Sequence, residues 1–132
     1  MDEKKRILVV DDDSDSLEFA AATLTREGYE VITATDGKEG LAKAVDQHPD
    51  LVILDVVMPE QDGWDTCDQL REIRELRKVP VVYLTCVEGP GTLYTDHGLY
   101  ETVWDEYLRK PVVAKDLVRV VGRLLQRQAA AR

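Results

Sequence analysis

Cysteine, positive charge and long apolar runs are all scarce in this sequence. Two cysteines among 132 residues provide no disulfide framework, and we expect both to be reduced. No apolar run approaches the length needed to cross a membrane. The charged start, Met1 to Arg6, lacks the apolar core of a signal peptide. These absences predict a cytoplasmic protein with no membrane segment.

The deficit of positive charge limits the kind of partner. Seventeen Lys and Arg residues stand against 26 Asp and Glu residues, which gives a net charge of −9. Nucleic acids and anionic membranes require basic patches, so neither is expected as the main partner. The length and the 44% hydrophobic content suit one globular domain. We assign 1–132 to a single domain, with its core over about 5–127 and a frayed tail at 128–132.

Apolar runs of strand length alternate five times with segments of helical periodicity. This alternation predicts an α/β fold in which helices cover both faces of a parallel sheet. In the second helix, Leu41, Ala44 and Val45 form the predicted inner face, and Asp36 and Glu39 form a capping box at its start. The predicted strands are 6–11, 29–35, 51–55, 79–84 and about 105–109. The predicted helices are 15–27, a second from 36 to the break at 49–50, a third over about 64–76, a short one within 92–102 and a last one over about 114–127.

Polar residues follow four of the predicted strands: Asp11 and Asp12, then Asp55, Thr85 and Lys110. The carboxyl ends of parallel strands line one crevice, so these side chains are expected to meet there. Carboxylates packed closely repel one another, and a hard divalent cation such as Mg²⁺ relieves that repulsion. Asp55 stands alone at its strand end, which makes it the best candidate for a nucleophile that forms an aspartyl phosphate.

The remaining two groups suit the same chemistry. Lys110 would supply a positive charge and Thr85 a hydroxyl donor to a phosphoryl group, whose transfer depends on positioning and charge neutralisation.

The motifs that carry this pattern also resemble a known family, the response-regulator receiver domains of two-component signalling, of the chemotaxis-response-regulator type. The resemblance covers about 5–127 and rests on Val9-Val10-Asp11-Asp12, Leu54-Asp55-Val56-Val57-Met58-Pro59 with Asp62-Gly63, Val82-Tyr83-Leu84-Thr85, and Tyr107-Leu108-Arg109-Lys110-Pro111.

The resemblance implies a fold and a phosphoryl-transfer chemistry. The fold would be a flavodoxin-like three-layer (βα)5 sandwich with strand order 2-1-3-4-5. Asp55 would accept a phosphoryl group from a phosphohistidine on a sensor histidine kinase or phosphotransfer protein. Asp12, Asp55 and the backbone carbonyl of Val57 would bind Mg²⁺, or Mn²⁺ in its place, and Asp11 would assist through water. Lys110 would contact the phosphoryl group.

The resemblance also implies a conformational switch. Thr85 would move towards the phosphoryl group and Tyr107 would turn inward behind it, and the Lys110–Pro111 peptide bond would be cis. The output face would consist of the fourth helix, the fifth strand and the fifth helix, and it would control partner binding. The downstream partner is not defined, and a phosphorylation-dependent homodimer stays open. The chain would act as a signalling domain that catalyses only its own phosphorylation and dephosphorylation.

One segment departs from the family pattern. Between Thr85 and Lys110 the sequence contains Gly89-Pro90-Gly91, and Thr102-Val103-Trp104 replaces the usual small pair before the fifth strand. The fourth helix is therefore the least defined element. Two alternatives stay open: a haloacid-dehalogenase-type phosphotransferase, and an interaction domain that uses a receiver fold without phosphorylation. The chain is either a stand-alone receiver or part of a longer regulator.

Overall fold

A computed structural model describes residues 4–55, 63–85 and 105–130, and the side chains of Thr85 and Tyr107 are not among the parts described. The strands are β1 (Arg6–Val10), β2 (Glu30–Ala34), β3 (Leu51–Asp55), β4 (Val81–Thr85) and β5 (Asp105–Arg109). The helices are α1 (Ser14–Arg26), α2 (Gly37–Gln47), α3 (Gly63–Glu72) and α4 (Ala114–Ala130), with a 3₁₀ turn at Arg74–Leu76. The fourth helix predicted from the sequence lies outside the described residues, so α4 is the helix predicted as the fifth.

All five strands form one parallel sheet in the order β2-β1-β3-β4-β5. This confirms the predicted architecture and strand order. In the register, Val10 pairs with Leu54, and Asp55 pairs with Leu84. The ends of β1, β3 and β4 therefore lie side by side at the carboxyl edge of the sheet, which is the edge where α/β folds bind ligands.

Two apolar cores cover the two faces of the sheet. Alternate residues of a strand point to opposite faces, so Ile7 and Val9 enter one core and Leu8 and Val10 the other. The first core is closed by α1 and α4, through Leu24 and Leu124 among others, and the second is closed by α2 and α3. Each fully buried Leu or Val contributes roughly 1.5–3 kcal/mol, so both layers of helices are held mainly by apolar burial.

Side chains and glycine define the ends of the first two helices. Asp13 caps α1 by accepting a hydrogen bond from the N–H of Asp15, at 3.2 Å. Gly28, at φ +96°, follows the end of this helix in the left-handed conformation that glycine tolerates. Asp36 caps α2 by accepting from the N–H of Glu39 at 2.7 Å, as predicted. The Glu39 carboxylate accepts a hydrogen bond from the N–H of Thr35, the residue before the cap.

The inner face of α2 differs from the prediction. Val45 is 47% exposed, so its assignment to the inner face was wrong. Leu41 and Ala44 do pack inward, and Gly40 is buried beside them. A Cβ at Gly40 would lie 2.6 Å from a methyl group of Val10, which shows that α2 approaches β1 too closely for a side chain there. Helical spacing could not separate Val45 from its neighbours, because its direction depends on the tilt of the helix.

The later elements shift by a few residues from their predicted bounds. The third helix ends at Glu72 and the 3₁₀ turn follows, where one helix to residue 76 was expected. The Arg71 guanidinium donates to the carbonyl oxygens of Arg77 at 2.9 Å and Val79 at 2.6 Å, which ties this turn to the start of β4. The last helix continues to Ala130, beyond residue 127. Within the described ranges no helix combines the length and hydropathy needed to span a bilayer.

Candidate functional site

Three carboxylates meet at the carboxyl edge of the sheet, as the sequence predicts. Asp11 and Asp12 follow β1, and Asp55 ends β3, the neighbouring strand. One carboxylate oxygen from each lies within 4.8 Å of the others. Asp11 is fully buried and Asp55 is only 6% exposed, whereas Asp12 lies at the surface. The site therefore concentrates negative charge at the boundary between the core and solvent.

The backbone around Asp11 fixes the direction of its carboxylate. Its N–H donates to the carbonyl oxygen of Ala34 at 3.1 Å, which extends the β1–β2 pairing by one residue. Its Oδ1 accepts from the N–H of Asp13 at 2.9 Å, in the two-residue turn that aspartate favours. Asp13 thus serves Asp11 through its backbone and caps α1 through its side chain. The Asp11-x-Asp13 spacing is a sequence signal for this turn, which was not among the predicted features.

Lys110 is the counter-ion of the two buried carboxylates. Its Nζ lies 2.9 Å from Asp11 Oδ2 and 3.2 Å from Asp55 Oδ2. The lysine side chain is 18% exposed. Burial by itself lowers the pKa of the Lys110 ammonium, but its hydrogen bonds and charge attraction to Asp11 and Asp55 outweigh this, so the pKa is raised above its ordinary value. Lys110 therefore carries a positive charge at neutral pH. The peptide bond from Lys110 to Pro111 is cis, which confirms a separate prediction.

The donor set fits a small hard cation. Asp11 Oδ2 is buried, and its contact within the described part of the chain is the one to Lys110 Nζ at 2.9 Å. Oxygen ligands of one Mg²⁺ ion lie at most about 4.2 Å apart, and one oxygen from each of the three carboxylates lies within 4.8 Å of the others, so the three are close to the separation that a shared ion requires. Three carboxylates beside one ammonium also leave the site short of positive charge. Asp11, Asp12 and Asp55 could therefore hold Mg²⁺ through oxygen ligands.

For Thr85 and Tyr107 the structure gives the position of the backbone, and Val57 lies outside the described residues. Thr85 ends β4, and its Cα pairs with that of Arg109 on β5. Tyr107 lies in the middle of β5, in register with Tyr83. Thr85 therefore lies on the strand next to that of Asp55, and Tyr107 lies on the strand beyond it. Val57, the predicted source of a carbonyl ligand, lies outside the described residues, as does all of 86–104.

Known proteins share this fold and sequence pattern. The family model of the response regulator receiver domain matches residues 7–122. The probable transcriptional regulator ycf27 of Cyanophora paradoxa is 40% identical over 94% of this chain and 49% of its own length. Response regulator PleD of Caulobacter vibrioides is 39% identical over 96% of this chain and 30% of its own length. The solved structure of chemotaxis protein CheY4 from Vibrio cholerae superposes with a TM-score of 0.83, at 30% identity, covering 92% of this chain and 99% of that one.

The chain belongs to the response regulator receiver domain family. It spans about half of ycf27 and a smaller part of PleD. Receiver domains are signalling domains of two-component systems. Members of this family act as phospho-acceptors and interact with histidine kinases or phosphotransfer proteins. The family match decides against the haloacid-dehalogenase-type alternative.

Proposed function

We propose that Asp55 accepts a phosphoryl group from a phosphohistidine of a sensor histidine kinase or phosphotransfer protein, in a reaction that requires Mg²⁺. The main support is the contact of Lys110 with both Asp11 and Asp55 at the carboxyl edge of the sheet. This arrangement places a nucleophilic carboxylate, an acidic cation site and a fixed positive charge within one small space. Phosphoryl transfer depends on this combination, because the transferring group carries negative charge on three oxygens.

In the proposed step, a carboxylate oxygen of Asp55 forms a bond to phosphorus while the bond from phosphorus to the donor's imidazole nitrogen breaks. The electron pair of that bond stays with the imidazole, which takes up a proton. The product on this chain is an aspartyl phosphate. Asp55 is suited to the role because it is mostly buried and ion-paired, yet 6% of it remains open to an incoming group.

The remaining residues would bind charge around this step. Asp12, Asp55 and the backbone carbonyl of Val57 would hold Mg²⁺ (Mn²⁺ could substitute), with Asp11 assisting through water. When bound, the ion would neutralise phosphoryl oxygens as charge shifts during transfer. Lys110 would pass from its ion pair with Asp55 to an oxygen of the phosphoryl group. Since Lys110 also contacts Asp11, it would remain tethered to β1 when Asp55 is modified.

The output would be a change in partner binding. Thr85 would supply a hydroxyl donor to the phosphoryl group, and Tyr107 would turn inward behind it. These shifts would alter the output face, which combines the predicted fourth helix (outside the described residues) with β5 and α4. Phosphorylation-dependent pairing of two copies through this face belongs to the same proposal. We treat the chain as one cytoplasmic domain, 1–132, whose downstream partner is undefined.

Intact-protein mass spectrometry tests the chemistry. The protein is incubated with phosphoramidate and Mg²⁺, beside a chelator-treated sample and the variants Asp55→Asn and Asp46→Asn. Asp46 is an exposed aspartate on α2, remote from the sheet edge, and serves as the matched control. One added phosphoryl group is expected in the wild type and in Asp46→Asn, and none in Asp55→Asn or with chelator. A folded wild-type protein that gains no mass would contradict the proposal and favour the phosphorylation-independent interaction domain.

A further inference from the structure

The exposed side of α4 carries a basic stripe in an acidic chain. Lys115, Arg119, Arg123 and Arg127 follow one another at intervals of four residues, and Asp116 is the one acidic residue of the helix. The first three are exposed and Arg127 is half-buried. A spacing of four places successive side chains on nearly the same side of a helix, so the stripe extends about 18 Å along its axis. The chain as a whole has a net charge of −9.

Helix stability does not account for this arrangement. Basic residues stabilise a helix through its dipole within the last turn, which includes Arg127 but not the others. Lys115 lies in the first turn, where a positive charge opposes the dipole. Like charges four residues apart also repel one another. The stripe therefore weakens the isolated helix, and an interaction with something outside the helix is the natural reason for it.

The stripe lies next to β5, the edge strand of the sheet. Arg123 pairs with Glu106 of β5 at 3.0 Å and keeps 43% of its side chain exposed. Arg119 pairs with Asp116 on its own helix, at 3.4 Å between exposed side chains. Within the part of the chain that the structure describes, Lys115 has no ion-pair partner. Asp116 and Glu106 thus orient Arg119 and Arg123, and both arginines stay exposed to solvent beside Lys115.

We propose that this basic stripe is a binding surface for an acidic protein surface, with carboxylates spaced about 6 Å apart to match the rise of four helical residues. A protein partner fits better than nucleic acid. The stripe is short, and a nucleic acid would extend beyond it over a chain that is strongly negative elsewhere. The inference rests on the proposed function in one respect, since α4 belongs to the proposed output face. It supplies the chemistry of the partner.

Fluorescence anisotropy with a defined probe tests this inference. The probe is a dye-labelled alanine–glutamate peptide of about 20 residues, with glutamate at every fourth position to follow the stripe. Unphosphorylated protein is titrated at low salt, so the result does not depend on the chemistry of Asp55. The test variant is Arg119→Gln with Arg123→Gln. The control variant is Arg26→Gln with Lys38→Gln, two exposed basic residues on α1 and α2 whose loss changes the net charge equally.

The wild type and the control variant should bind the peptide within about twofold of each other, and the stripe variant roughly five- to tenfold more weakly. Binding should weaken as salt is added. No binding of the peptide by the wild type would overturn the inference, and so would equal losses in the two variants. Tighter binding of a DNA duplex of similar length would also overturn it, in favour of a nucleic-acid surface. Failure here would leave phosphorylation of Asp55 intact, which the mass measurement decides separately.

Discussion

Replacing Lys110 with methionine removes the ammonium group that pairs with Asp11 and Asp55, and so tests how much these ion pairs stabilise the fold. At an effective dielectric constant of about 20, a charge at 2.9 Å from Asp11 and 3.2 Å from Asp55 is attracted by about 6 and 5 kcal/mol, respectively. Desolvation offsets most of that attraction. Removing one partner of a buried pair nevertheless costs roughly 3–5 kcal/mol, because the other charge remains buried. Since Lys110 is partly exposed, we expect a loss near the lower end, about 3 kcal/mol.

Urea unfolding at pH 7 measures this loss, with Lys38→Met as the control. Lys38 is an exposed lysine at the start of α2, and its replacement should change the free energy of unfolding by less than about 0.5 kcal/mol. The raised pKa of Lys110 sets the pH window. Its contribution is fully present below the ordinary lysine value of 10.5 and is lost as pH rises through the higher folded value. The difference between wild type and Lys110→Met should therefore persist throughout the neutral range.

Magnesium supplies the second half of the test. Without Lys110, the carboxylates of Asp11 and Asp55 lack their resident cation, so Mg²⁺ should stabilise Lys110→Met more than the wild type. A ligand at a hundred times its dissociation constant adds about 2.7 kcal/mol. If Lys110→Met unfolds at the same urea midpoint as the wild type without metal, the ion pair is not stabilising. If Mg²⁺ leaves the variant's midpoint unchanged, the carboxylates do not form a cation site.

Two further changes test the packing and the electrostatics of α2. In Gly40→Ala, alanine should stabilise the helix by about 1 kcal/mol, but its methyl group should cost about 1–3 kcal/mol by crowding Val10. Urea unfolding should therefore show that the free energy of unfolding falls by up to about 2 kcal/mol. Gly122→Ala on α4, with no atom near the new methyl group, should gain up to about 1 kcal/mol, and equal effects at the two sites would refute the contact. The hydrogen bond from the N–H of Thr35 lowers the pKa of Glu39. The wild type should therefore be more stable than Glu39→Gln above pH 4.5, and this advantage should disappear as pH falls through the lowered pKa. A stability difference that does not change with pH would contradict this.

The sheet and the acidic site could be predicted because they depend on local patterns. A strand that is apolar at every position, such as Leu51 to Leu54, must be buried on both faces, and this requires helices on each side. Once the sheet is parallel, the residues after its strands share one edge whatever the helices do. Asp11, Asp12 and Asp55 therefore could be expected together before any distance was known.

The inner face of α2 and the partners of Lys110 depended on tertiary structure. Leu41 and Val45 look equivalent in the sequence, since both are large apolar residues one helical turn apart. In the structure α2 packs closely against β1 at Gly40, and Val45 is exposed to solvent. Likewise, the resemblance implied that Asp11 acts through water, and the structure adds a direct contact between Asp11 and Lys110 at 2.9 Å.

The sequence alone determined the alternation of strands and helices, the strand ends that carry Asp11, Asp12, Asp55, Thr85 and Lys110, and the cap at Asp36. These features follow from periodicity and from hydrogen bonds between near neighbours, which a linear pattern records. Tertiary structure decided which carboxylates Lys110 contacts, how closely α2 packs and which side of α4 faces solvent. Those outcomes depend on distances between residues far apart in the chain, and such distances are set by how whole elements pack.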